Sequence, residues 1–255
     1  MSLAPAALEL RCLALRHADG TQALHPLDLS VPRGQFCVVL GASGSGKSSL
    51  LRLINGLAGA TAGQVLLDGK RLRDGDMRTR GRQMATIHQA IDLVPRLSVV
   101  DNVLTGSLAR LPLWRALAGA FDRPRQRRAC QLLREVGLDE RQLYRRASEL
   151  SGGQQQRVGI ARAFMAAPAV VLADEPVSSL DPGTSRAVLD LLRRAASAHG
   201  ATVLCSLHQV ELAREFADRI VGLRAGRVVL DTNAPGKLDQ DAIDELYGRV
   251  RAAAA

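Results

Sequence analysis

The chain holds 255 residues, of which 47% are apolar and 3% aromatic, with 34 basic against 25 acidic residues and a formal charge of +9. That length suffices for one large hydrophobic core, and so few aromatics leave little for stacking on single-stranded nucleic acid. The basic surplus suits either an anionic partner or a solvated basic surface. Cys12, Cys37, Cys130 and Cys205 are scattered with no Cys-x-x-Cys pair, which argues against a zinc site or a disulfide framework and for reduced, mostly buried thiols. No run of 18 apolar residues and no basic-then-apolar leader occurs, so the chain is expected to stay in the cytosol and to reach a membrane only through a partner.

In chain order, residues 8–16 alternate imperfectly between apolar and polar, His17-Ala18-Asp19-Gly20 supplies turn chemistry, and residues 23–31 complete an antiparallel pair. Pro32-Arg33-Gly34 then leads into the apolar run Phe36-Cys37-Val38-Val39-Leu40, followed by a glycine-rich loop and a helix-like run over residues 49–54. Residues 63–69 and 84–87 read as further strands. From about Asp92 to Gln154 the pattern turns helical, over residues 98–108, 124–136 and 140–146, with no strand between them. Strand signals return at residues 169–173 and 201–207, separated by a helix over 182–199. Strands alternating with helices imply an α/β fold with a largely parallel sheet and its sites at the carboxyl ends of the strands.

The loop is Gly41-Ala42-Ser43-Gly44-Ser45-Gly46-Lys47-Ser48, placed between a strand and a helix. Its glycines remove side chains, so that backbone N–H groups converge on phosphate oxygens at the positive end of a helix. Lys47 adds a mobile cation near the terminal phosphates, and the Ser48 hydroxyl is a Mg²⁺ ligand. A second chemical group follows the apolar strand Val170-Val171-Leu172-Ala173, which delivers Asp174 and Glu175 side by side. In a nucleotide site one such carboxylate holds the metal and the other orients and polarises the attacking water; Asp174 is assigned to the metal and Glu175 to the water.

A second phosphate-binding device is Ser151-Gly152-Gly153-Gln154, which opens a helix expected to begin near Gln155. One nucleotide has one γ-phosphate, already cradled by the first loop. The second device is therefore most economically used on the nucleotide of another copy, in a two-fold dimer sandwiching two ATP molecules head to tail.

With Leu150-Ser151-Gly152-Gly153-Gln154 in place, the chain resembles the ATP-binding subunits of ABC transporters over nearly its whole length. The resemblance implies a P-loop NTPase fold with a mostly parallel core sheet and an N-terminal antiparallel β portion. It also implies a RecA-like core from residues 1–90 and 155–250, a helical subdomain at 91–154 inserted before the signature, and a disordered tail at 251–255. ATP and Mg²⁺ are the implied cofactors. By the same resemblance Ser49 joins the ATP-binding loop, Gln89 senses Mg²⁺ and links the site to membrane subunits, Ser178-Ser179-Leu180-Asp181 carries communication between the two copies, and His208 contacts the γ-phosphate. The family usually stacks adenine on an aromatic residue of the first hairpin; here the nearest candidate is His17, either a stacking residue or a surface turn residue.

Finer detail, including Asn55-Gly56-Leu57, residues 92–99, Trp114-Arg115-Ala116-Leu117 and residues 206–213, resembles the subfamily that energises import of phosphonates and related phosphorus oxyanions. It implies a homodimer on ATP binding, two transmembrane permease subunits, a periplasmic substrate-binding protein and a place on the cytoplasmic face of the inner membrane, with no nucleic acid. An importer ATPase for another small solute and a nucleic-acid-associated ABC ATPase are the alternatives; the absence of sustained heptads between the two phosphate devices disfavours the second. Trp114 either meets a permease or packs against its own subdomain, and the run Arg123-Pro124-Arg125-Gln126-Arg127-Arg128 either faces anionic lipid or is a solvated helix face.

Overall fold

The computed structural model describes residues 5–73, 75–89 and 92–248; the expected disordered tail lies outside them. β1 (Ala6–Arg16) and β2 (Gln22–Pro32) pair antiparallel from Ala6↔Pro32 to Arg16↔Gln22, closed by the turn at His17–Gly20. β3 (Phe36–Leu40), α1 (Lys47–Asn55), β4 (Ala62–Leu67), β5 (Lys70–Arg71), α2 (Met77–Gln83) and β6 (Met84–Ile87) follow. The segment before the next strand carries only helices and turns, with one isolated bridge, among its described residues: α3 (Val99–Thr105), α4 (Leu113–Leu117), α5 (Arg123–Glu135) and α6 (Gly152–Phe164). Then come β7 (Val170–Asp174), α7 (Pro182–His199), β8 (Thr202–Leu207), α8 (Val210–Phe216), β9 (Arg219–Arg224), β10 (Arg227–Thr232) and α9 (Gln240–Tyr247).

Two sheets result: β2-β1-β4-β5, which is antiparallel, and β10-β9-β3-β8-β7-β6, in which only the β10–β9 pair is antiparallel. Alternation along the central strands assigns their faces. Phe36, Val38, Leu40, Val171 and Ala173 join the core shared with α3, α5, α6, α7, α8 and α9, whereas Cys37, Val39, Val170 and Leu172 join the core shared with α1, β1 and β2. A strand covered on both faces reads as continuous apolar sequence, which is why Phe36–Leu40 shows no polar alternation. Each fully buried Leu or Val here contributes about 1.5–3 kcal/mol of transfer free energy.

Local signals and observed ends agree most closely at α7, where Asp181 accepts the Thr184 N–H, Pro182 occupies the first turn and Gly200 closes the helix in the left-handed conformation. Differences have identifiable causes. Residues 140–146 form one 3₁₀ turn, Glu140–Gln142, rather than the expected helix, because the Leu143 and Arg145 carbonyls accept the N–H groups of Val100 and Val99 and so cap α3 instead. The signature helix begins at Gly152, not near Gln155, since Ser151 and Gln154 form a reciprocal capping box. Of the thiols, Cys37 and Cys205 are buried, Cys130 is half-buried and Cys12 is exposed. Trp114 is 64% exposed rather than buried against the helical segment. No helix of the described residues is long and apolar enough to cross a membrane.

Candidate nucleotide site

The carboxyl ends of four adjacent parallel strands converge in one row. β3 leads to Gly41, β8 to His208, β7 to Asp174 and Glu175, and β6 to Gln89, with Leu40 paired to Leu207, Asp174 to Ser206 and Ile87 to Ala173. Positions far apart in sequence therefore meet because of strand order.

The glycine-rich loop is clamped between the two sheets. Gly226, in the β9–β10 turn, donates its N–H to the Ser45 carbonyl (2.9 Å) and accepts the His25 N–H (2.9 Å). At Gly46, the residue capping α1, φ is +107° and a Cβ would lie 2.9 Å from the Ala23 carbonyl oxygen; at Gly41 a Cβ would come within 2.3 Å of the Leu223 carbonyl oxygen. Only glycine fits either position without backbone movement. The first turn of α1 carries no acidic residue, so its positive end is not neutralised from within the helix. Lys47, 5% exposed, folds back over the loop and donates to the Gly41 (2.8 Å) and Ala42 (3.1 Å) carbonyls, with its ammonium 3.5 Å from Glu175 Oε1.

The two carboxylates have distinct surroundings. Asp174 Oδ1 accepts the hydroxyls of Ser48 (3.2 Å) and Ser206 (2.7 Å), which ties it to the loop and to β8. Glu175 takes the left-handed backbone conformation (φ +45°), uncommon for a non-glycine residue. Its N–H donates to Ser206 Oγ at 2.9 Å. Its carboxylate sits between Lys47 and His208, whose Nδ1 is 3.9 Å from Oε2. Strain of this kind clusters at functional sites, and here a buried hydroxyl holds it.

A cleft of about 460 Å³ is lined by Ser43, Gly44, Gly46, Lys47, Ser48 and Ser49 together with Gln89, Glu175 and His17. Thr21, Gln22 and Ala23 complete its wall. The turn carrying His17 is ordered by its own bonds: His17 N–H to the Thr21 carbonyl, Gly20 N–H to the His17 carbonyl and Thr21 N–H to Asp19 Oδ1. That last bond, from the Thr21 backbone, is the first cause holding the Asp19 carboxyl below its ordinary value.

Ser151, Gly153 and Gln154 face elsewhere. They line a separate cleft of about 290 Å³ with Arg157, Thr184 and Val188, and no residue is common to the two walls; Gly152 opens α6 beside them. Asp181 caps α7, its carboxyl held below the ordinary value first by the Thr184 hydroxyl and then by the Thr184 N–H. Gln156, buried in α6, donates to the Pro176 carbonyl (2.6 Å) and so joins the signature helix to the segment after Glu175.

The donor set suits a hard cation. Ser48, Asp174 and Gln89 offer a hydroxyl, a carboxylate and an amide oxygen, and no cluster of three or more His, Cys, Asp or Glu that could cage a metal occurs among the described residues. Mg²⁺ is typically held in this way, by one or two protein oxygens plus substrate phosphates and water.

Sequence reasoning missed Ser206, Gln156 and Thr21–Ala23. Ser206 sits inside an apolar strand run, where a small hydroxyl residue carries no distinguishing pattern.

A phosphate loop, a strand-end acid pair and a second small-residue helix start in its own cleft define a P-loop ATPase of the cassette type. A family model described as ABC transporter matches residues 24–178, and the chain belongs to that family. It is 53% identical over 231 residues to the phosphonates import ATP-binding protein PhnC of Hydrogenovibrio crunogenus, covering 91% of this chain and 85% of that one. To the protein of the same name from Hyphomonas neptunium it is 52% identical over 248 residues, covering 95% of each. Among solved structures, the dimeric post-hydrolysis state of the ATP-binding cassette MJ0796 bound to ADP and Pi matches with a TM-score of 0.77 at 31% identity, over 89% of this chain and 98% of that one. CbiO1 from Clostridium perfringens, part of the transporter complex cbiONQ, matches at 0.80 and 25% identity, over 94% of both.

Proposed function

We propose that this chain is the ATP-binding and hydrolysing subunit of an import complex, coupling ATP hydrolysis to uptake of phosphonate or a related phosphorus oxyanion. The observation that carries the reading is the convergence of the Gly41–Ser48 loop, Gln89, Glu175 and His17 on one cleft while Ser151–Gln154 line another. Two copies arranged head to tail bring each signature segment to the partner's nucleotide, and the dimeric MJ0796 cassette supports that arrangement. The substrate class rests on the relatives' names and high identity.

In this mechanism the loop amides and Lys47 bind the phosphates, exchanging the Gly41 and Ala42 carbonyls for phosphate oxygens as the partners of the ammonium. Ser48, Asp174 and Gln89 would hold Mg²⁺, which would neutralise charge developing on the transferred phosphoryl group. Glu175 orients the attacking water and takes its proton, and His208 contacts the γ-phosphate. Asp181 carries communication between the copies. Closure of the dimer pulls the permease between its two orientations, and hydrolysis reopens it. The helical segment, proposed as a subdomain over residues 91–154, and the core move as the two ends of that closure. The complex adds two transmembrane permease subunits and a periplasmic binding protein, and it holds this chain at the cytoplasmic face of the inner membrane.

The test is ATPase activity of the subunit reconstituted in a membrane with its neighbouring permease, with phosphonate-, phosphite- and phosphate-loaded binding proteins added in turn. Stimulation by the phosphonate-loaded protein is expected. Activity that none of them stimulates would remove the substrate assignment and leave the nucleotide chemistry standing.

A further inference from the structure

The helix α4 buries none of its residues, and Leu113, Trp114 and Leu117 are 74%, 64% and 80% exposed. The Arg115 guanidinium lies over the Trp114 ring, 5.0 Å from its centroid, a cation–π contact at the polar margin of an apolar patch. From Leu117 to the start of α5 at Arg123 is six residues, roughly 20 Å at full stretch. Arg123, Arg127 and Arg134 recur on one face of α5 and, with Gln126, Cys130 and the exposed Tyr144, line an open cleft of about 520 Å³. Arg134 pairs with Glu140 and Arg125 with Asp122, whereas Arg123 and Arg127 have no carboxylate partner among the described residues. Between residues 110 and 134 the chain carries seven arginines and one acid, Asp122.

We propose that α4 and the first turns of α5 dock this subunit directly on an anionic lipid bilayer. Leu113, Trp114 and Leu117 enter the headgroup boundary, and Arg123 and Arg127 meet lipid phosphates. Charge selects this occupant: Arg123 and Arg127, without carboxylate partners among the described residues, follow the exposed Trp and Leu within about six residues, and arginine near exposed Trp and Leu is the chemistry of an interfacial anchor. Shape agrees, because a short helix that buries nothing offers no groove for a partner helix, while fluid lipid conforms to it. The docking needs neither nucleotide nor permease, so it stands apart from the transport reading.

Trp114 is the single tryptophan of the chain, so its fluorescence reports on this patch alone. The experiment is vesicle flotation and tryptophan emission of the full chain, without permease, using phosphatidylglycerol-containing and pure phosphatidylcholine vesicles at low and high salt. Salt-sensitive flotation and a blue-shifted emission with the anionic vesicles alone are expected. Arg123→Ala with Arg127→Ala weakens binding roughly 25-fold, at about fivefold per arginine near an anionic surface. Leu113→Ser with Leu117→Ser abolishes the blue shift, and both variants keep the basal ATPase rate of the parent. No flotation, equal binding to neutral vesicles, or arginine variants that bind like the parent would overturn the proposal. So would a Trp114 that stays open to a soluble quencher on vesicles and becomes protected only when the permease is added, which would assign the patch to a protein partner.

Discussion

Ser206 Oγ lies 2.7 Å from Asp174 Oδ1 and 2.9 Å from the backbone nitrogen of Glu175, so one buried hydroxyl on β8 donates to the Asp174 carboxylate and accepts from the Glu175 backbone. Its position is enforced by the Asp174↔Ser206 pairing of β7 with β8. Ser206→Ala leaves the Glu175 N–H without its acceptor and Asp174 with one donor fewer. We expect a loss of about 1–3 kcal/mol in stability, the cost of unsatisfied buried groups, read by denaturant unfolding. A kcat roughly tenfold lower should accompany it, since small misplacements of a reacting group are costly.

Glu175→Gln removes the proposed base and keeps the shape. ATP binding should survive, hydrolysis should fall by about 10²–10⁴-fold, and a nucleotide-dependent dimer should accumulate on size-exclusion chromatography with ATP. Rapid turnover by this variant would exclude Glu175 as the residue activating water.

His17 reaches the cleft on an ordered turn, so a change in ring area there should be read as nucleotide affinity. His17→Tyr is expected to gain about 0.5–1.5 kcal/mol of stacking, a few-fold to tenfold tighter binding of ATP by fluorescence titration, while His17→Ala weakens it. Equal affinities across the three forms would make His17 a turn residue alone.

Tyr247, at the end of α9, donates its hydroxyl to the His208 carbonyl at 2.8 Å. This joins the last described helix to the residue proposed to contact the γ-phosphate. Tyr247→Phe should lower kcat several-fold with KM nearly unchanged, because the bond positions His208 rather than binding substrate; an altered KM at constant kcat would count against that role.

Thiol reactivity follows burial. Burial, as the leading cause, pushes the Cys37 thiol up to about 12 and that of Cys205 higher still. Both therefore remain neutral and shielded at pH 8, whereas Cys12 is exposed. Brief alkylation of the native protein at pH 8, followed by peptide mass mapping, should modify Cys12 first and spare Cys37 and Cys205 until denaturant is added.

Much of the site was legible because its chemistry is local. The loop from Gly41 to Ser48, the acid pair after Val170–Ala173 and the Ser151–Gln154 helix start each require contiguous residues, and contiguous residues are what a sequence displays. The helix from Pro182 to His199 was equally plain, since Asp181, Pro182 and Gly200 act on their own backbone neighbourhood. Other features were settled by partners distant in the chain. Residues 140–146 have helical composition, yet their carbonyls serve α3. Trp114 is apolar and stands exposed because no neighbouring element covers α4. By itself the sequence determined that the chain carries a phosphate-loop motif, an acid pair at the end of an apolar strand and a second glycine-rich helix start. Only the tertiary structure decided that Gly41, Gln89, Glu175 and His208 stand at the ends of four adjacent strands, and that Ser206 braces the Asp174 carboxylate and the Glu175 backbone. Those contacts depend on strand order and register, which arise from burial of both sheet faces rather than from any local spacing.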